Sequence, residues 1–276
     1  MEKIRAILDK ADVLPPSPSL LPKLLPYLGD VNANFDEVVR LISLDQTLTA
    51  KLLQICNSAF FGQDEPVSSV NEAVNRVGYQ SVYLLTAMIN GSSSFPGAAT
   101  GNLDSGKLWK HSVATAFNTK FVAESVALDG NLLLTAGLMH DIGKQILTQI
   151  GSPLNGFNFH LPTCPAALTA ELAAYDCNHA EAGACLLEKW NLPPPLVACV
   201  RHHHQPESAG EFKKHAACVA VGNALAHSQE YGRALESETY AAGMTILNLD
   251  ASHLKHWQQQ FEESRDLIAG MSKLSA

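Results

Sequence analysis

Apolar residues recur three and four positions apart along most of the chain, and no stretch alternates apolar with polar at the period of a half-buried strand. NFDEVVRLISL opens on Asn34, carries Glu37 three residues later and continues through Val38, Val39, Leu41 and Ile42. That is capping-box spacing ahead of an amphipathic helix. Leu48, Leu52, Ile55 and Cys56 follow at i, i+4, i+7 and i+8, with Gly62 placed to stop the run. In SSVNEAVNRVG, Ser69 and Glu72 repeat the capping-box spacing, and Gly78 can close the helix. YQSVYLLTAMI adds one more apolar segment, and the proline-punctuated VLPPSPSLLPKLLPYLGD precedes them all. The prediction is an all-α fold.

NGSSSFPGAATGNLDS, over 90–105, reads as a linker, because no strand precedes it and no Gly-Lys-Ser pattern makes it a phosphate loop. Beyond it, five segments read as helices: LWKHSVATAFNTKFVAESVAL, GNLLLTAGLMHDIGKQIL, HAEAGACLLEKWNL, PPLVACVRHHH and HAACVAVGNALAHS. IGSPLNGFNFHLPTCP reads as a loop. The last segment places Leu254, Trp257, Phe261 and Ile268 near one helix face, which is expected to pack on its own domain.

With 276 residues, of which 46% are hydrophobic, the chain can bury a substantial core. A net charge of −8 lacks the basic stripe of a nucleic-acid binder, so paired short helices within 34–90 are not expected to grip DNA, and no nucleic-acid partner is expected. No apolar run has transmembrane length, and MEKIRAILDK has no signal-peptide apolar core, so a cytoplasmic, membrane-free protein is expected. The six cysteines are scattered without a C-x-x-C pair, which fits reduced, mostly buried thiols.

Histidines carry the candidate chemistry. His111 sits near the start of one helix, and His140–Asp141 ends another. His179 opens a third, with Asn178 and Glu181 at cap spacing, and His202, His203 and His204 end a fourth ahead of Pro206. Imidazoles with a carboxylate suit zinc, iron, manganese or nickel, and the negative end of a helix dipole favours a cation. Lys144, one turn beyond His140, can stand beside the ion and meet an anionic substrate. His160, His215, His227, His253 and His256 lack such company and read as surface or helix-face residues.

His111 followed by His140–Asp141 in AGLMHDIGK resembles the HD superfamily of metal-dependent phosphohydrolases. The opening segments LPPSPSLLPKLL, LISLDQTLTAKLLQICNSAFFG and SSVNEAVNRVGYQSVYLLTAMI resemble the HDOD family, a bacterial regulatory branch of that superfamily. HAEAGACLLEKWNLPPPLVACVRHHHQPE and VAVGNALA extend the likeness over roughly residues 10 to 230. The resemblance implies a helical N-terminal lobe (1–95) packed on an HD-like bundle (96–235), followed by a C-terminal helical extension (236–276). It further implies a signal-transduction output role through a protein partner or a small anionic ligand. His111, His140 and Asp141 match the family's first metal ligands, and the final aspartate of that pattern falls on Asn223, a neutral oxygen donor. His179, His203 and His204 resemble second-metal histidines of related cyclic-dinucleotide phosphodiesterases, with His202 the alternative within the triplet. Consecutive helical residues diverge by roughly 100°, so all three of the triplet are not expected to face one ion. The Gly-Tyr-Pro signature of those phosphodiesterases is missing. The alternative function is a metal-dependent phosphohydrolase, in which Asp141 holds the ion and Lys144 steadies a phosphate.

Overall fold

The computed structural model describes residues 35–43, 67–77, 104–149, 165–189, 193–232 and 237–265, with a few isolated positions between and beyond them. Every regular element among the described residues is helical. In chain order these are α1 (Phe35–Ser43), α2 (Val70–Val77), α3 (Ser105–Ser125), α4 (Gly130–Met139) and α5 (Ile142–Gln149). They continue with α6 (Pro165–Tyr175), α7 (His179–Lys189), α8 (Pro194–His202), α9 (Lys213–Tyr231), α10 (Glu238–Leu247) and α11 (His253–Glu263).

Local sequence explains where these helices start and stop. Ser69 Oγ accepts from the Glu72 amide, while Glu72 reaches back to the amide of Ser68, one residue earlier than a strict capping box. The Asp104 side chain caps α3 by accepting from Lys107 N, Asp129 caps α4 through Leu132 N, and Asn178 caps α7 through Glu181 N. Gly232, at φ 63°, closes α9 in the left-handed region. The Asn34 cap, Gly62, Gly78, residues 90–103 of the Gly/Ser linker, the 150–164 loop, His160 and Cys164 lie outside the described residues, and the end of the linker forms the cap and first residue of α3.

A helix ends at His140–Asp141 as expected, and GNLLLTAGLMHDIGKQIL resumes as a second helix at Ile142, which makes α4 and α5 of one apolar segment. Two helices also went unread. PAALTAELAAY forms α6 and ETYAAGMTIL forms α10, and neither run carries much amphipathic contrast.

Val38, Ile42, Leu52, Cys56 and Val74 belong to the same buried apolar cluster as Phe117, Leu133, Val200, Val219 and Trp257. The N-terminal helices therefore pack onto the bundle through a continuous core. Trp257 is fully buried and donates its indole N–H to Ser125 Oγ at 2.9 Å, which fastens α11 to α3. The described cysteines, Cys56, Cys177, Cys185, Cys199 and Cys218, are free and buried, and burial pushes the Cys177 and Cys218 thiols up to about 12.

Glycines set the helix crossings that matter for the site. A Cβ on Gly143 would overlap the His179 carbonyl and meet Gly183 N at 2.6 Å, so α5 and α7 touch backbone to backbone. A Cβ on Gly222 would meet Thr119 N at 2.7 Å, and one on Gly137 would meet Ala116 Cα at 2.8 Å. These two contacts draw α9 and α4 tightly onto α3. The elements that carry His111, His140, Asp141, His179 and Asn223 are thereby held around one centre.

Candidate metal centre

Asp141 is 2% exposed and sits in the turn between α4 and α5, where its two oxygens face different neighbours. Oδ2 lies 2.6 Å from Lys144 Nζ, 3.3 Å from His140 Nε2 and 3.9 Å from His111 Nε2. Oδ1 lies 3.2 Å from His179 Nε2 and 3.9 Å from His203 Nε2. His204 Nε2 completes that side, 3.0 Å from His179 Nε2, and His203 Nε2 is 3.4 Å from the same atom.

The outer nitrogens of these rings are already committed. His140 Nδ1 donates to the Gly137 carbonyl at 2.7 Å, and His203 Nδ1 donates to the Val200 carbonyl at 2.7 Å. His179 Nδ1 faces Glu171 Oε2 at 2.7 Å, and the same oxygen accepts from the His179 amide at 2.9 Å. A carbonyl acceptor fixes the proton on Nδ1, so Nε2 carries the lone pair. The lone pairs of His140 and His203 therefore point inward, toward Asp141. His140 Nε2 and Asp141 Oδ1 are buried without a hydrogen-bond partner. Crowded inward acceptors of this kind are costly to bury unless a cation joins them.

The electrostatics follow the same logic. Burial lowers the pKa of His140, and burial together with the neighbouring imidazoles holds His203 and His204 well below the usual histidine range. For Asp141, burial opposes ionisation, but His140 and Lys144 outweigh it and hold the carboxyl well below the usual carboxylate range. Burial likewise opposes the His179 imidazolium, but Glu171 and then Asp141 prevail and raise its pKa. Glu171 and Asp141 thus place negative charge on both sides of the His179 ring.

The structure brings His111, His140, Asp141, His179, His203 and His204 into one buried neighbourhood. One donor atom each from His111, His140 and Asp141 lies within 4.8 Å of the other two, and His179, His203 and His204 satisfy the same condition. His202 belongs to neither group. Both His203 and His204 face His179, from the turn that follows α8, with Nε2 atoms 3.4 and 3.0 Å from His179 Nε2. Asn223, on α9, places Oδ1 3.0 Å from His111 Nε2.

Lys144 is 3% exposed, and its ammonium rests on Asp141 Oδ2 at 2.6 Å, one short reach along the start of α5. His227 is not isolated but stacks on His111 with ring centroids 4.2 Å apart. Burial, followed by the nearby His111, depresses its pKa to about 2. Of the remaining histidines, His215 rests edge-on against Phe212, and His253 and His256 lie on the outer helix α11. Glu171 also went unread: it lies in α6 with only alanine-rich neighbours, and its one sequence signal is a carboxylate eight residues ahead of a helix-opening histidine.

The model for the HDOD domain matches residues 14–206. The chain belongs to the HDOD family. A protein of Treponema pallidum (strain Nichols) without an assigned function is 28% identical over 228 residues, covering 79% of this HDOD chain and 43% of the relative. The HDOD chain thus spans less than half the length of that curated relative. Among solved structures, a provisionally assigned phosphohydrolase from Shewanella amazonensis SB2B superposes with a TM-score of 0.74 at 21% identity, covering 98% of both chains. A provisionally assigned signal transduction protein from Marinobacter aquaeolei VT8 superposes with a TM-score of 0.68 at 23% identity, covering 97% of this chain and 61% of that one. These likenesses establish a shared helical fold. No helix among the described residues is long and apolar enough to cross a membrane.

Proposed function

We propose that this HDOD chain is a bacterial, cytoplasmic signal-transduction output domain whose buried His/Asp pocket holds a divalent metal and responds to a small anionic ligand or a signalling protein. One observation carries the reading: the imidazoles of His140, His179 and His203 are pinned through Nδ1 and aim Nε2 at the carboxylate of Asp141. Pinned outer nitrogens are how proteins orient metal-binding histidines. The donor set, imidazoles around a single carboxylate, fits iron, manganese, zinc or nickel. In this reading 1–95 and 96–235 are the two lobes of the domain and 236–276 is its helical extension.

His179, His203, His204 and Asp141 Oδ1 hold the ion on one side of the carboxylate. His111, His140 and Asp141 Oδ2 form the other side, where the Lys144 ammonium already neutralises the charge. Asn223 supplies this second side with an amide oxygen, which binds a cation less strongly than a carboxylate. Isothermal titration with manganese or zinc tests the proposal. The chain is expected to bind at least one equivalent, and Asp141→Ala is expected to lose it. Equal binding by both proteins would overturn the assignment.

A second reading, a metal-dependent phosphohydrolase, rests on the two donor groups flanking the one carboxylate of Asp141. Metal ions there supply Lewis acidity to a phosphoryl group and acidify water. Asp141 would hold the ions from both oxygens, and Lys144 would keep that carboxylate ionised and steady an incoming phosphate. Because Asn223 is neutral, turnover on phosphate esters and cyclic dinucleotides is expected to be weak or absent. Robust manganese-dependent hydrolysis of p-nitrophenyl phosphate, abolished in Asp141→Ala, would make this the leading reading.

A further inference from the structure

The solvent side of His111 carries a donor set that the pocket described above does not use. Glu230 lies one turn beyond His227 on α9, so both side chains leave the same helix face. Glu230 Oε2 is 3.1 Å from His111 Nδ1, and the His227 ring stacks on His111 with an angle of 24° between the planes. One donor atom from each of His111, His227 and Glu230 lies within 4.8 Å of the other two. The Nδ1 atom of His227 is buried and has no hydrogen-bond partner.

His111 is caught between two acceptors. Its Nε2 faces the amide oxygen of Asn223 at 3.0 Å, and its Nδ1 faces the carboxylate of Glu230. A neutral imidazole has one N–H to give. With that proton on Nε2, directed at Asn223, the Nδ1 lone pair confronts a carboxylate and a second imidazole. Such a group of acceptors is electrostatically completed by a cation.

We propose that His111, His227 and Glu230 form a separate divalent-cation site on the outer face of the pocket, with zinc as the ion its two imidazoles and one carboxylate suit best. Two nitrogens and one oxygen, with one position left open to water, make a common zinc environment. The partial exposure of Glu230 gives the ion a route in from solvent. Asn223 contributes from behind by accepting the Nε2 proton, which keeps Nδ1 free to bind. With its proton on Nε2, His111 serves the outer ion in place of the His140 side of the inner pocket, while the group His179, His203 and His204 shares no donor with the outer site.

Zinc binding is measured by competition with a chromophoric chelator on four forms of the full chain: wild type, Glu230→Gln, His227→Ala and the inner-site variant His179→Ala/His203→Ala. The wild type and the inner-site variant are expected to share one zinc equivalent that both outer substitutions weaken at least tenfold. Glu230 lies at the surface, so Glu230→Gln keeps the comparison valid if His227→Ala loses helical circular dichroism. Unchanged zinc binding in Glu230→Gln, or no zinc equivalent surviving in the inner-site variant, would overturn the outer site. Failure of the inner centre would read differently, as identical binding by wild type and the inner-site variant.

Discussion

Glu171 holds His179 twice, with a single oxygen 2.9 Å from its backbone N–H and 2.7 Å from its ring Nδ1. The carboxylate fixes the start of α7 and the direction of the imidazole with it. Outer partners of this kind raise ligand basicity, and their loss weakens metal affinity by about 10–100-fold. Glu171→Gln is expected to lower manganese or zinc affinity by that factor in calorimetry, with helical circular dichroism retained. Unchanged affinity would mean that His179 needs no orienting partner.

Gly143 tests how the site is assembled. An added methyl has no room, since it would overlap the His179 carbonyl and meet Gly183 N at 2.6 Å, and neither backbone can give way without separating α5 from α7. Gly143→Ala is expected to destabilise the fold by about 3 kcal/mol, measured by urea unfolding. A loss below roughly 0.5 kcal/mol, the range of ordinary surface changes, would show that the two helices separate freely.

Asn223→Asp places a second carboxylate beside His111, close to Asp141. A cation gains more from a carboxylate than from an amide oxygen, so metal affinity is expected to rise about tenfold or more. Without metal, two nearby carboxylates repel and one pKa rises. The variant should melt earlier than wild type in chelator and later in added manganese. Identical melting under both conditions would remove Asn223 from the site.

Acid sensitivity follows from the buried imidazoles. His140, His203, His204 and His227 have pKa values lowered in the folded state, so below about pH 6.5 the unfolded chain binds more protons at these positions than the folded one. Stability at these positions falls as pH drops through the unfolded value. His179 has a raised pKa and contributes in the opposite sense, with stability present at low pH and lost as pH rises through its folded value. The lowered group outnumbers it. In chelator, melting temperature is expected to fall between pH 7 and pH 5.5. Asp141, held low, adds its loss only in stronger acid. A melting temperature that rises over this interval would contradict the buried neutral imidazoles.

Much of this arrangement is visible in the sequence because its parts are local. The caps at Ser69 and Asn178 use residues three positions apart, and His179 and His202 sit where helix ends fall. The helix end at His140–Asp141 is visible too, but the separate helix that restarts at Ile142 is not, because apolar periodicity continues beyond the pair. Glu171 and His227 were missed for a different reason. Glu171 works on a residue in the next helix, and His227 works beside Glu230 on a ring 119 positions from that carboxylate. The second pairing depends on the close crossing of α9 on α3 at Gly222, which no single-helix pattern encodes.

The proposed metal ion lies among the imidazoles of His179, His203 and His204, beside Asp141. Anomalous diffraction from crystals grown with manganese or zinc, collected on both sides of the metal absorption edge, measures this directly. An anomalous peak is expected within coordinating distance, about 2.0–2.2 Å, of the Nε2 atoms of His179, His203 and His204, on the side that Asp141 Oδ1 faces. Ordered side chains with no anomalous density between them, at metal concentrations that saturate the protein in solution, would contradict it.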